Sequence, residues 1–315
     1  MTVLVTGATG FVGRHLVAAL LARGCRVRAL ARDLDKARQM PWFDAVEFCA
    51  LDVHDPQLDV AALVDGVDAL AHLAWPGLPN YQALFHLEHN LMADYRFIKA
   101  VVEAGVSQVL VTGTCFEYGM QSGPLSESSA PQPSNPYGLA KHTLHLFLQN
   151  LQQELPFTLQ WARLFYLHGE GQNPGSLLAA LDRAIDSGDA SFNMSAGEQL
   201  RDFLPIRTAA GYLAAILHQR DFHGVINCAS GQAISVRTLV EHRLRERGFA
   251  PERLARMRCP MGLAEVKGKL PIEIAVSIAA EIIATYNANF GQHTGSATTQ
   301  PIAKLLPPSR RSQAI

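Results

Sequence analysis

Charge is scarce in this chain. Of 315 residues, 17% are Asp, Glu, Lys or Arg, and the formal net charge is -1. No long basic run occurs, so neither nucleic acid nor an acidic membrane surface is the expected partner. Long apolar runs are missing as well. The most apolar late stretch, I-E-I-A-V-S-I-A-A-E-I-I-A from Ile272, is too short to span a membrane and carries two glutamates. The start, M-T-V-L-V-T-G, shows no charged segment with a cleavage site, so no signal peptide is expected. Cysteine is sparse. Cys25, Cys49, Cys115, Cys228 and Cys259 are scattered, odd in number and without C-x-x-C spacing, as expected of reduced thiols in a cytoplasmic protein. No metal set emerges either. His86 and His89, like His142 and His145, sit at helical spacing, but no third and fourth ligands join them. They read as solvated surface, and no metal is expected. Internal repeats are absent.

What is present is apolar and regular. Hydrophobic residues make up 48% of the chain, enough for a sizeable core. Short apolar strands alternate with helical patterns. T-V-L-V-T, R-V-R-A-L, D-A-V-E-F-C-A-L, D-A-L-A-H-L and Q-V-L-V-T read as five strands. Helices are expected between them, most clearly over Tyr81 to Ala104 and Pro136 to Leu151. This alternation predicts an α/β protein with a doubly wound parallel sheet covered on both faces. The pattern loosens from Arg163 and shifts again after Cys259. The expected organisation is a nucleotide-binding domain over 1–162, a smaller substrate-binding region over 163–260 and a divergent tail over 261–315. One helix is expected from Ile272 to Tyr286, and a frayed end after it.

The first strand runs into T-G-A-T-G-F-V-G, which sets Gly7, Gly10 and Gly13 in a G-x-x-G-x-x-G array with Phe11 and Val12 between them. Glycines let the backbone turn tightly and approach a pyrophosphate. The helix start that follows offers free N–H groups and a positive dipole end. A strand before and a helix after make a dinucleotide site of the Rossmann type the expected reading. At the end of the second strand, Ala31 stands where an acid would bond the adenosine ribose of NAD, and Arg32 follows. An arginine there can pair with a 2′-phosphate, which tilts the expectation toward NADP over NAD, or it is an ordinary surface residue. Asp52, with Val53 beside it, is placed to bond the adenine amine or to cap a helix.

The stretch N-P-Y-G-L-A-K-H places Tyr137 and Lys141 four apart behind Pro136. Ser134 or Asn135 can cap a helix there, and Pro136 suits its first turn. Phenol and ammonium then share one face. A neighbouring cation and a helix N-terminus both lower a tyrosine pKa, which is one route to an acid–base residue near neutral pH.

The glycine array, followed about 120 residues later by Y-x-x-x-K, resembles the short-chain dehydrogenase/reductase superfamily. The details are similar to its extended, NAD-dependent epimerase/dehydratase branch, over roughly residues 1–245. A-H-L-A-W is similar to the family's fourth-strand end, which implies that Leu73 and Ala74 pass the nicotinamide ribose. N-L-M-A-D-Y from Asn90 resembles the helix carrying its structural Asn. V-T-G-T-C-F-E-Y-G, with Thr112 near its start, resembles the segment bearing the catalytic hydroxyl, which falls on Thr114. R-L-F-Y-L-H-G-E-G-Q from Arg163 is similar to the loop after the sixth strand. R-D-F-L-P-I resembles the family segment whose arginine, here Arg201, contacts sugar-nucleotide phosphates.

The resemblance implies a hydride-transfer site. Tyr137 exchanges a proton with a sugar hydroxyl or ketone, Thr114 holds the same oxygen, and Lys141 lowers the tyrosine pKa and bonds the nicotinamide ribose. The 4,6-dehydratases of this family carry Asp-Glu just after the catalytic Thr; Cys115 and Phe116 here cannot supply that acid–base chemistry. A 4-keto reductase and a 4-epimerase remain, and Arg32 tilts toward the reductase. W-P-G-L-P-N-Y together with T-C-F-E-Y-G-M-Q-S-G resembles reductases of nucleotide-activated 4-keto-6-deoxyhexoses. Trp75 and Tyr81 line the sugar pocket or are packing aromatics. Cys115 has no His and acid partner to make it a nucleophile. A non-catalytic dinucleotide sensor is the rival class, yet such proteins tend to lose the Tyr-Lys pair. Residues 260–315 match nothing convincing in the family. Relatives dimerise through the helices corresponding to Tyr81–Ala104 and Pro136–Leu151, which implies a homodimer.

Overall fold

The computed structural model of the chain describes residues 1–189, 191–254, 275–277, 279, 280, 282 and 283. The helix expected over Ile272–Tyr286 falls partly, and the chain end wholly, outside these residues. Two compact units are distinguished: Met1–Phe192 with Glu198–Gly248, and Asn193–Gly197 with Phe249–Ile315.

In chain order the first unit begins β1 (Thr2–Thr6), α1 (Gly13–Ala22), β2 (Arg26–Ala31), α2 (Leu34–Arg38), β3 (Glu47–Ala50), α3 (Val60–Val64) and β4 (Ala69–His72). It continues with α4 (Leu91–Glu103), β5 (Gln108–Thr114), α5 (Pro136–Glu154), β6 (Thr158–Leu164), β7 (Tyr166–His168) and α6 (Leu177–Asp186). It closes with β8 (Leu200–Pro205), α7 (Ile206–His218), β9 (Gly224–Cys228), β10 (Ala233–Ser235) and α8 (Val236–Glu246). The second unit contributes the short α9 (Pro251–Leu254), where Arg253 lies over the Phe249 ring at 5.4 Å.

Seven parallel strands form the main sheet in the order β3-β2-β1-β4-β5-β6-β9. Every residue of β1 and β5 is buried, because helices cover both faces. Alternate side chains feed two cores. Leu4, Leu70, Val109, Val111 and Trp161 pack with α4 and α5 on one face. Val3, Val5, Ala69, Ala71, Leu110 and Ala162 pack with α1 and α7 on the other. Chain order reverses between β1 and β4, so their carboxyl ends border the crevice where open α/β sheets bind ligands. A small second sheet, β10-β8-β7, joins residues from the second half.

The expected Rossmann architecture is borne out, with local differences. The third strand is shorter than Asp44–Leu51, because Phe43–Ala45 forms a 3₁₀ turn. The helix expected from Tyr81 starts at His86, as a π-helical turn (His86–Asn90) leading into α4. Pro76, Gly77 and Pro79 disfavour helix before it, and the Tyr81 carbonyl accepts the Tyr137 N–H at 3.2 Å. The sequence boundary at 162/163 falls inside β6, and α7 and β9 from beyond it pack on the main sheet. Among the described residues, no helix is long and apolar enough to cross a membrane.

Candidate active site

The glycine array lines the crevice. Gly7 turns at φ +65°, and a Cβ there would meet the Ala74 nitrogen at 2.9 Å. A Cβ on Gly13 would collide with the Gly7 carbonyl. The loop therefore lies flat against Leu73 and Ala74, beyond β4. Helix α1 begins after Val12 with no side-chain cap; Arg14 N–H donates to the Gly10 carbonyl at 3.1 Å and His15 N–H to that of Val12 at 3.2 Å, and the helix start faces the crevice. Phe11 meets His15 edge-on at 6.4 Å. Thr112 Oγ1 lies 3.4 Å from the His72 carbonyl that it faces. Across the crevice, Arg32 Nη1 and Asp52 Oδ2 are 3.7 Å apart and both exposed. Asp52 Oδ1 accepts the His54 N–H at 3.0 Å, so it closes a turn and caps no helix; Asp59 caps α3 instead. Val53 is buried in the core beneath.

Asn135 caps α5, accepting the Gly138 N–H at 2.8 Å, and Pro136 fills the first turn. Tyr137 and Lys141 lie on the buried face of this helix, 8% and 1% exposed. Thr114, at the end of β5, lies close enough to the Tyr137 side chain to lower its pKa. The structure thus brings Thr114, Tyr137 and Lys141 together. It corrects one expectation about them. Burial pushes the Tyr137 phenol up, Tyr81 adds to this, and the Thr114 hydroxyl offsets only part. Desolvation is the largest cause. Tyr137 is therefore a protonated phenol at neutral pH. Burial pulls Lys141 down to about 8, against the opposing pull of Asp94 and Glu117. Its Nζ has no hydrogen-bond partner among the described residues and lies 3.9 Å from the Trp75 ring centroid.

Aromatic rings wall the site. Trp75 donates Nε1–H to His86 Nδ1 at 3.1 Å, and His86 Nε2 donates to the Asn80 carbonyl at 2.8 Å. His86 is thus fully buried, against the expectation of solvated surface; a ring bonded at both nitrogens needs no water. Asn90 holds the Pro76 carbonyl at 2.8 Å and so fixes the loop that carries Trp75. Tyr81 lies 5.5 Å from Tyr137 and 4.9 Å from Phe116. Phe116 reaches Tyr166 at 6.4 Å, and the Arg201 guanidinium lies 5.4 Å over Tyr166. Arg201 therefore closes the wall that starts at Tyr137. Cys115, beneath, is pushed up to about 12 by burial and is a neutral thiol.

Glu117 escaped sequence reasoning. Its fully buried carboxylate accepts Thr114 N–H at 2.8 Å, Trp161 Nε1–H at 3.0 Å and Arg163 Nε–H at 2.8 Å. With Thr114 it forms a capping box, and Thr-x-x-Glu at a strand end was the available signal. Behind it, His145 stacks on Trp161 at 4.7 Å. His145 is 4% exposed and is pulled down to about 4 by burial and Arg163, so it too is no surface histidine.

Residues 3–229 match the model of the NAD dependent epimerase/dehydratase family. A shorter match, to the XdhC Rossmann domain over residues 210–282, covers too little of the chain to assign a family. The chain is 30% identical over 248 residues to a dTDP-6-deoxy-L-talose 4-dehydrogenase (NAD(+)) of Aggregatibacter actinomycetemcomitans, covering 78% of this chain and 90% of that one. It is 32% identical to a dTDP-6-deoxy-L-talose 4-dehydrogenase (NAD(P)(+)) of Kitasatospora kifunensis, over 79% and 80% of the two chains. Among solved structures it is similar to MoeE5 in complex with UDP-glucose and NAD, with a TM-score of 0.69, 29% identity and coverage of 80% and 83%.

Proposed function

The chain belongs to the NAD dependent epimerase/dehydratase family of enzymes, and from that premise we propose that it reduces a nucleotide-linked 4-keto-6-deoxyhexose through Thr114, Tyr137 and Lys141. The observation that carries the reading is a buried, protonated Tyr137 beside Thr114, on the same helix face as a buried Lys141 whose Nζ has no hydrogen-bond partner among the described residues. Reduction of a ketone needs a proton donor, and an oxygen turning into an alkoxide is more basic than a phenolate. Tyr137 gives its proton to that oxygen, and Thr114 holds the same oxygen in place. The phenolate left behind is favoured by the charge on Lys141.

The crevice fits a dinucleotide. The glycine cradle leaves no room for a Cβ, the α1 start lacks a cap, and the buried Lys141 Nζ needs an acceptor such as a ribose hydroxyl. Gly7, Gly10, Phe11, Val12 and Gly13 would hold the pyrophosphate, with Leu73 and Ala74 along the nicotinamide ribose and Arg32 and Asp52 at the adenosine. When bound, the nicotinamide supplies the hydride. NADP is favoured over NAD through Arg32, which the Asp52 carboxylate partly neutralises. Arg201 meets the substrate phosphates, and Trp75 and Tyr81 flank the sugar.

Cys115 and Phe116 supply no acid–base pair for water elimination, which argues against a 4,6-dehydratase. The names of the two dehydrogenase relatives support net redox chemistry over epimerisation. The reading includes a homodimer. A second copy would cover the outer face of α4 and α5, where Leu139, Leu146 and Phe147 are exposed. The free thiols Cys25, Cys49, Cys115 and Cys228 suit the cytoplasm.

The test titrates NADPH and NADH by fluorescence, then adds dTDP-4-keto-6-deoxyglucose and follows loss of the reduced nicotinamide absorbance. Consumption by the wild type, lost by a factor of about 100 or more in Tyr137→Phe, is the expected result. Tight binding without consumption would favour an epimerase or a sensor. Absence of binding would overturn the cofactor reading. A sedimentation mass of one chain in the same preparation would remove the homodimer.

A further inference from the structure

Thr6 ends β1, and its hydroxyl has one hydrogen and two lone pairs. The N–H groups of Leu73 and Ala74 donate to Thr6 Oγ1 at 3.1 and 3.2 Å. The hydroxyl hydrogen is left for His72 Nδ1, 3.1 Å away. That assigns the His72 tautomer: Nδ1 accepts, and Nε2 carries the hydrogen. Nε2–H then donates to Asp94 Oδ1 at 3.1 Å. The same oxygen accepts His54 Nε2–H at 2.9 Å. His72 and Asp94 are fully buried. Both imidazole nitrogens facing the carboxylate are hydrogen donors, so the group is a hydrogen-bond relay and not a metal set.

The relay has two ends. His54 follows Asp52 and gives it its backbone N–H, and Asp52 faces Arg32. This is the adenosine rim of the crevice. Thr6, Leu73 and Ala74 form the nicotinamide rim. One carboxylate on α4 therefore ties a turn after β3 to the carboxyl ends of β1 and β4. Burial alone would raise the Asp94 pKa, but His72, the His54 hydrogen bond and, less, Lys141 hold it below the usual carboxylate range, so it stays ionised. No step of the proposed reaction uses it.

We propose that Asp94 is a positioning residue for the dinucleotide, setting the separation of the two rims through His54 and His72. The inference rests on the cofactor reading above. A ligand that spans both rims gains from their fixed spacing, because it does no work to adjust them. A ligand that touches the adenosine rim alone is indifferent to it.

The test compares the Kd of NADPH with that of 2′,5′-ADP, by calorimetry, in wild type, Asp94→Asn and His54→Ala. Loss of a charge-assisted hydrogen bond predicts that each variant weakens NADPH about tenfold or more and 2′,5′-ADP less than about threefold. A purely structural role would lower Tm and leave the ratio of the two affinities at its wild-type value. His54 is partly exposed, so His54→Ala carries the test where Asp94→Asn does not fold. His54→Gln keeps an N–H for Asp94 and is expected to restore the ratio. An unchanged ratio in folded Asp94→Asn or His54→Ala overturns the inference while the cofactor reading stands. Wild type that binds neither NADPH nor NADH overturns the cofactor reading, and the inference with it.

Discussion

The end of β5 and the second turn of α5 face one site, and they hold their polar groups in opposite ways. Thr114 rests on a carboxylate whose hydrogen bonds are all made within the chain: Glu117 takes donors from Thr114, Trp161 and Arg163. Lys141 is as deeply buried, and its ammonium makes none among the described residues. The first arrangement is complete as the chain folds. The second leaves an ammonium under an indole ring, at a cost to stability that only an arriving acceptor removes. One side of the site is thus preorganised by the fold, and the other is paid for by ligand.

Breaking the saturated side has the largest expected effect. Glu117→Leu strands the Arg163 charge in the interior, where its side chain is 3% exposed. Loss of one partner of a buried pair costs about 3–5 kcal/mol, read as a fall in the urea midpoint. A loss under about 1 kcal/mol would show that the carboxylate is not the support argued here.

The orphaned side responds to alkali. Lys141 falls from 10.5 to about 8 on folding, so between those values the folded state holds fewer protons than the unfolded chain. Stability from this group therefore rises with pH across that window. Wild type is expected to gain roughly 2 kcal/mol on Lys141→Met between pH 7.5 and 9.5. Lys141→Met is also expected to be the more stable of the two at pH 7.5 without added cofactor, and to bind NADPH more weakly. Parallel pH curves for the two proteins would contradict a depressed lysine.

Acid attacks the saturated side instead. His145 drops from 6.5 to about 4, so the folded state again holds fewer protons than the unfolded chain between those values. The stability it allows is present above pH 6.5 and lost as pH falls toward 4. The cost of charging a buried ring is the main cause, and Arg163 beside it adds to that cost. His145→Phe keeps the ring contact with Trp161 and should remove roughly 2 kcal/mol of the acid sensitivity between pH 7 and 4.5. Identical acid midpoints would place the histidine outside the cluster.

The two sides also differ in how far the sequence announces them. Tyr137 and Lys141 are four residues apart behind Asn135 and Pro136, so their shared face follows from helix geometry alone. The glycine array and strands β1, β2 and β5 are equally local, being short apolar runs beside turn residues. The partners of Thr114 are not. Arg163 and Trp161 come from β6, more than 40 residues on, and which charge meets which is decided by strand order. Asp94 is hidden for the same reason, since its partners His54 and His72 lie on other elements. His86 and His145 were misplaced because spacing shows that two residues share a helix face, not whether that face is packed. The direction of the Tyr137 shift needed the burial of the phenol, which no four-residue motif contains.

Gly113 carries a consequence for how such a site can change over generations. A Cβ there would fall on Trp161 Nε1 and Glu117 Oε1, too close for either to keep its place. Alanine at 113 is therefore barred while both large groups remain. Removing Glu117 first strands Arg163, and removing Trp161 first opens a cavity beside the carboxylate. Each single step costs stability, so Gly113, Glu117, Trp161 and Arg163 are sterically and electrostatically coupled, and a replacement at one calls for a compensating change at the others.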